Sequence, residues 1–385
     1  LQPVIVNGMS YVVPRMTDGA NIMAAGEPDL PVITRNVMIS DSGDVTIRFR
    51  PGDFVDIPNI KIAPSRGSIS RKVDPATVPY VFGSAYLSQG YPEQGVTHGN
   101  PFILRDYRGV SIRICPFRYN AVTETLRVYQ SVTVSVMTKG SDGINSLRKS
   151  AVSQHSRSFD SVYSSRFINY SPTKTRYTTL NDEGSLLIIA PSNYLATMQP
   201  LVNWKRQKGI PTEMVDLADI GSTATDVLSY VQNYYDTNGL TFLLLVGDAD
   251  IMPYLIAGSG NARGASDPSY SKLAGSEDYP DIFVGRFSVE STEQLQTMVT
   301  RNIEYERNPV IGGEGYTRGF AIASNEEGDL GKDREFMETI RTNLLANGYS
   351  QVSAIYDYDN TSATAAQVTT AVNGGTGTGA ARPDF

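Results

Sequence analysis

This chain is short of the residues that carry most nucleophilic and metal chemistry: it has one cysteine and two histidines in 385 residues. The lone Cys115 excludes an internal disulfide, so no covalent cross-link constrains the fold. No His or Cys spacing suits zinc. A dyad built from these residues would need Cys115, which sits at the end of an expected strand. Cysteine there usually behaves as a small buried hydrophobe. His98 lies in a turn-like stretch, 95–100, and His155 in a basic one. No Gly-x-Ser-x-Gly elbow precedes a helix, and there is no Walker loop. No apolar run reaches the roughly 20 residues of a membrane helix. Positive charge is also scarce: 33 Lys and Arg stand against 40 Asp and Glu, a net charge of −7. That gives no electrostatic reason to expect nucleic acid or anionic membrane as a partner. The first residue is Leu, not Met, so we expect a mature or trimmed chain whose targeting segment has been removed. The single cysteine, 22 Tyr and 34 Gly point to an exported protein, secreted or held at the cell surface.

The length allows two or three domains. Residues 1–145 read as β. Val110, Ile112 and Ile114 alternate with polar residues, as do Val132, Val134 and Val136, with a turn expected over 119–124. Segments 36–39 and 45–49 flank Ser-Asp-Ser-Gly-Asp at 40–44, a hairpin signal. Residues 146–176 are rich in Ser, Thr, Arg and Lys without periodicity, and read as an exposed linker open to proteolysis. Strands and helices alternate from Tyr177. We expect strands over 186–189, 212–215, 242–246, 282–284, 320–323 and 352–356. Helices are expected over 195–208, 223–236, 294–306, 333–347 and 365–372. Thr223 and Asp226 form a capping-box pattern. In the helix over 333–347, Phe336, Ile340 and Leu344 are in register for a core face. The expected fold is α+β in two domains: an all-β sandwich or jelly roll, then a doubly wound parallel α/β sheet. The α/β part divides into 177–308 and 309–385.

Two segments pair an apolar run with carboxylates: 243–250 (Leu-Leu-Leu-Val-Gly-Asp-Ala-Asp) and 278–286 (Asp-Tyr-Pro-Asp-Ile-Phe-Val-Gly-Arg). The runs are too short for a helix and read as strands buried on both faces. Asp248 and Asp250 leave one such strand, and Asp267, Glu277, Asp278 and Asp281 follow. Hard oxygen ligands at close spacing suit structural Ca²⁺, expected here on Asp248, Asp250, Glu277, Asp278 and Asp281. The plainer alternatives are carboxylates that cap turns and helix starts, or an Asp281–Arg286 ion pair.

Five segments in order resemble the gingipain-type cysteine peptidases of the caspase-like clan. They are 203–209 (Asn-Trp-Lys-Arg-Gln-Lys-Gly), 244–248 (Leu-Leu-Val-Gly-Asp), 281–291 (Asp-Ile-Phe-Val-Gly-Arg-Phe-Ser-Val-Glu-Ser), 303–308 (Ile-Glu-Tyr-Glu-Arg-Asn) and 373–375 (Asn-Gly-Gly). The stretch over 281–291 is the most specific. The resemblance implies a caspase-like α/β domain acting on protein or peptide substrates, with residues 1–145 as an inhibitory propeptide and 146–176 as its activation linker. It makes Arg176-Tyr177 the junction cleaved on activation. It matches Glu326 to an acidic residue that supports the catalytic histidine. It also places Asp333 one position from a residue that binds a basic substrate side chain. Arg334 occupies the nearest ungapped match, and helix capping is the other reading of Asp333.

The departure from the family is large. Asn-Gly-Gly should lead to a Gly-His-Gly motif and later to the nucleophilic Cys. Here 376–385 hold neither. The catalytic domain is therefore expected to be incomplete, and the chain as given inactive. The competing reading is a non-catalytic surface binding module or degenerate homologue. A third is a hydrolase using carboxylates and metal.

Overall fold

The computed structural model describes residues 1–70, 73–148, 156–171, 184–328, 331–358 and 362–372. In the N-terminal part, alternation puts apolar side chains on one face of each strand, and two such faces close on each other. One layer holds Pro31–Met38, Tyr107–Ile114 and Val96–His98, extended by Ala20–Asn21 and Phe102–Leu104. Asp44–Pro51 and Val132–Lys139 pair antiparallel as the other layer. Val37, Val96 and Val110 of the first meet Ile47, Phe49 and Val134 of the second. A three-stranded sheet of Phe54–Ile57, Thr125–Tyr129 and Phe117–Asn120 closes over Leu30, Ile62 and Cys115.

The turn expected near 119–124 joins Phe117–Asn120 to Thr125–Tyr129, with Glu124 in the left-handed region. The hairpin expected around 40–44 does not form. Its flanking strands pair with Tyr107–Ile114 and Val132–Lys139 instead, and residues 40–43 cross between the layers. Arg108, fully buried, holds this crossing by donating to the carbonyls of Ser40 (3.1 Å), Gly43 (3.0 Å) and Ile144 (2.7 Å). A buried guanidinium is tolerable because these carbonyls replace its water.

The linker expectation is also corrected. Helix Arg157–Arg166 lies inside it and buries Phe159 and Tyr163. Those side chains stand four apart on one helix face, too narrow a stripe to show against the Ser and Arg around it. The chain then returns to the β layers: Phe167 bridges Asn36, and Asn169 bonds both N–H and C=O of Met38.

From Leu186 the strands run parallel in the order Thr212–Asp216, Leu186–Ala190, Phe242–Val246, Phe283–Phe287. Period-two alternation serves both faces. Leu186, Ile188 and Ala190 meet helices Leu195–Gln207 and Thr292–Arg307. Leu187, Ile189, Leu243 and Leu245 meet helix Ala224–Asn238. Two covered faces explain why these strands are continuous apolar runs. The Thr223–Asp226 capping box forms as expected. Glu306 ties the two helices of one face together, accepting from Trp204 Nε1 (2.8 Å), Lys205 and Lys208. Burial pushes its carboxyl up, but these donors outweigh it and hold the group down at about 2.

Arg318–Ala323 and Gln351–Tyr356 make a separate parallel pair, with helix Asp333–Ala346 against it. The helix packs through Met337, Leu344 and Leu345. Phe336 and Ile340, expected in the core, are 46% and 50% exposed. A two-stranded sheet offers one helix too narrow a wall to cover its whole apolar stripe.

Candidate functional site

Parallel strands end together, so the loops after Ala190, Asp216 and Val246 gather at one edge, where the strand order reverses. A cleft of about 860 Å³ opens there, lined by Ser192, Asp216, Gly221, Asp250, Ile251 and Tyr254 among others. Ser192 Oγ donates to Asp216 (2.5 Å), and this bond with the Ala218 N–H holds the Asp216 carboxyl below its usual range. Ser288 does the same for Asp248.

Arg286 braces the loop behind the cleft. Its Nε and Nη2 grip Asp267 at 2.7 and 2.6 Å. Its remaining donors reach the carbonyls of Gly247 (2.9 Å), Met252 (2.8 Å) and Pro253 (3.1 Å). The partner of Arg286 is thus Asp267, not Asp281.

Asp281 stands at the opposite, amino end of its strand. Its Oδ1 accepts the Arg105 N–H (3.0 Å), and its Oδ2 accepts those of Leu273 (2.9 Å) and Ala274 (2.7 Å). Complete burial pushes its carboxyl up to about 6 against the pull of these three donors, and the charge of Glu277 adds to the push. Glu277 accepts from the Ile103 N–H (2.9 Å) and Asn145 Nδ2 (2.6 Å). Asp278 is exposed and pairs with Lys272 (2.6 Å). The carboxylates expected to share a cation therefore divide between the two edges of the sheet. A five-residue strand, roughly 16 Å, separates those edges. Among the described residues no three acidic, histidine or cysteine side chains gather closely enough to hold a metal. The five do not fit one Ca²⁺ cage in this arrangement.

Glu326 and Asp333 are brought together. Glu326 lies in the segment that follows the carboxyl end of Arg318–Ala323 and Asp333 opens the next helix, and the Asp333 N–H donates to the Glu326 carbonyl (3.0 Å). Ser324 Oγ donates to the Asp333 carboxylate (2.8 Å). Lys332 is the N-cap, so Asp333 is the first helical residue, where the helix dipole favours a carboxylate. Glu326 is exposed. Arg334 donates to Asn325 and lies over the ring of Tyr358.

Cys115 is 3% exposed, with its thiol against the carbonyls of Phe117 and Pro31, and burial pushes it up to about 11. A thiol that stays protonated is no nucleophile. The His98 ring is exposed and contacts the Gly99 carbonyl. His155, Arg176 and Tyr177 lie outside the described residues. An aromatic disulfide reagent is expected to label Cys115 in the native protein roughly a hundredfold or more slower than in denaturant. Rapid labelling of the native protein would contradict this burial.

The pattern defining Peptidase family C25 matches residues 179–380, and that of Propeptide_C25 matches 2–177. The chain belongs to peptidase family C25. Gingipain R1 of Porphyromonas gingivalis is 36% identical over 361 residues, covering 91% of this C25 chain and 35% of that relative. Lys-gingipain from strain ATCC 33277 of the same organism is 25% identical over 301 residues, covering 73% of this chain and 17% of that relative. This C25 chain thus spans about a third or less of the length of both relatives. A solved complex of Porphyromonas gingivalis RgpB pro- and mature domains aligns with 44% of this chain and 86% of that one, at 33% identity and a TM-score of 0.40. The β layers and helix Arg157–Arg166 fall within the propeptide match, and the parallel strands within the peptidase match. Sequence reasoning missed Arg105 and Asn145, which join these two parts of the C25 chain. The available signal was Arg105-Asp106 between the apolar runs Phe102–Leu104 and Tyr107–Ile114, a turn with an atypical residue at its tip.

Proposed function

We propose that this chain is the propeptide and the leading part of the catalytic region of a secreted or cell-surface cysteine endopeptidase zymogen. The observation that carries the reading is the order of the two family matches, propeptide then peptidase, along one chain. In this reading residues 1–145 are a β-sandwich inhibitor and the parallel strands belong to a caspase-like layout. The half-exposed Phe336 and Ile340 support further strands completing the second sheet. The dyad comes from residues outside this sequence, because 177–385 contain neither Cys nor His. The cysteine thiolate attacks the scissile carbonyl, and the histidine protonates the leaving amine. Glu326 supports that histidine, and Asp333 receives a basic substrate side chain. Cleavage between Arg176 and Tyr177 starts activation.

The test extends the polypeptide through the residues that follow in its gene. The extended protein should hydrolyse a protein substrate at a rate abolished by a thiol alkylator, while residues 1–385 alone should give none. N-terminal sequencing of the activated product should begin at Tyr177. Glu326→Gln should lower kcat more than it alters KM, and Asp333→Asn should chiefly raise KM for substrates with a basic side chain. An extended, folded protein with no turnover would leave a binding module as the better account.

A further inference from the structure

Between strand Arg318–Ala323 and helix Asp333–Ala346 the chain pairs with itself: Glu327–Gly328 runs antiparallel to Gly331–Lys332. Glu326 and Asp333, the residues just outside that pair, therefore stand opposite each other, and the Asp333 N–H donates to the Glu326 carbonyl (3.0 Å). Ser324 joins the same two residues by a second route. Its Oγ accepts the Glu326 N–H (3.3 Å) and donates its proton to the Asp333 carboxylate (2.8 Å). A serine hydroxyl carries one donor and two acceptor positions, so it makes both bonds at once. The three hydrogen bonds close a ring through Ser324, Glu326 and Asp333. The bond to the carboxylate is charge-assisted, the strongest class among the three. The neighbouring cations Lys332 and Arg334 both donate to Asn325, and Arg334 lies over the ring of Tyr358. Ser324 and Asp333 are half-buried, and Glu326 is exposed at the rim of the ring.

Resting on the roles given above to Glu326 and Asp333, we propose that Ser324 is a positioning residue that couples them, so that a basic substrate side chain engaging Asp333 fixes the backbone of Glu326 through the Ser324 hydroxyl. A cation on the Asp333 carboxylate locks its rotamer. The locked carboxylate fixes the direction of the Ser324 proton, and the Oγ lone pair then holds one direction toward the Glu326 N–H. Glu326 is gripped on both sides of its own peptide groups, at its N–H by Ser324 and at its carbonyl by Asp333. A neutral side chain leaves the carboxylate to water and the ring looser. Recognition of the basic side chain thereby appears in the rate of the chemical step and not in affinity alone.

The first test needs no turnover. Residues 1–385, labelled with 15N-glutamate, are titrated with n-butylguanidine, a monocation with the stem and head of an arginine side chain. Binding should shift the Glu326 amide resonance in the wild type. Ser324→Ala should still bind the probe but lose that shift, and Ser324→Thr, which keeps the hydroxyl, should retain it. Binding that leaves Glu326 unmoved, or moves it equally in Ser324→Ala, overturns the coupling alone. Absence of binding by the wild type overturns the role of Asp333 and the coupling with it, so the two failures are distinct. The extended protein supplies the second readout. On a substrate with a basic side chain, Ser324→Ala should lower kcat about fivefold and raise KM by no more than about twofold. The slower turnover of a norleucine substrate should change by no more than about twofold, and Ser324→Thr should restore the basic substrate's kcat. Equal losses on both substrates would give Ser324 a merely structural role and overturn the proposal.

Discussion

Asp281→Ala is expected to destabilise the protein by roughly 3 kcal/mol at neutral pH, since it strands the buried N–H groups of Arg105 and Leu273 and the part-buried one of Ala274. The pH dependence gives a second signature. The folded state raises this carboxyl from an ordinary 3.8 to about 6. Between those values the folded protein holds a proton that the unfolded chain has lost. The contribution of this group is therefore fully present below about pH 4 and falls as pH rises through about 6, by about 3 kcal/mol in all. Asp281→Asn cannot titrate. The difference in urea stability between wild type and Asp281→Asn should shift across pH 4 to 6.5 and stay flat above. A difference that is constant over this range would mean that the buried carboxyl is not perturbed. Taking the difference matters because Glu306, held low by its lysines, titrates with the opposite sign at lower pH.

Arg286→Met should cost about 4 kcal/mol, because it leaves Asp267 without its counter-ion and three loop carbonyls without donors. Lysine keeps the charge but loses the planar fork, which here meets a carboxylate and three carbonyls at once. Arg286→Lys should recover less than half of the loss in urea unfolding. Both variants should also speed proteolysis within 247–266, the loop that borders the carboxyl-edge cleft. Equal stability of Arg286→Lys and wild type would show that charge matters at this position and fork geometry does not.

The parallel strands were the most legible part of the fold. Phe242–Val246 matches its expected bounds, because so short an apolar run stopped by Gly247 has few other uses than a strand covered on both faces. Helices Leu195–Gln207 and Thr292–Arg307 lie within two residues of their expected bounds for the same reason: periodicity reports burial directly. Strand pairing was harder to read. The stretch 40–44 has the composition of a hairpin turn, yet the flanking strands belong to opposite layers, and the crossing between them is held by Arg108, 68 positions from Ser40 and 65 from Gly43. The site divides in the same way. That Glu326 and Asp333 meet follows from their spacing after one strand end. The scatter of the acidic residues over two sheet edges depends on which end of a strand each one occupies.

Local composition and period thus determined which segments became strands and helices, and the order of motifs carried the family resemblance, because both are written in neighbouring residues. Tertiary structure decided the partners of the charged groups. Arg286 faces Asp267, Asp281 receives the propeptide's Arg105, and Glu277 reaches Ile103 and Asn145. Each of these contacts joins residues 19 to 176 positions apart. Buried polar groups must find partners wherever the chain brings them, and no short-range pattern encodes that address.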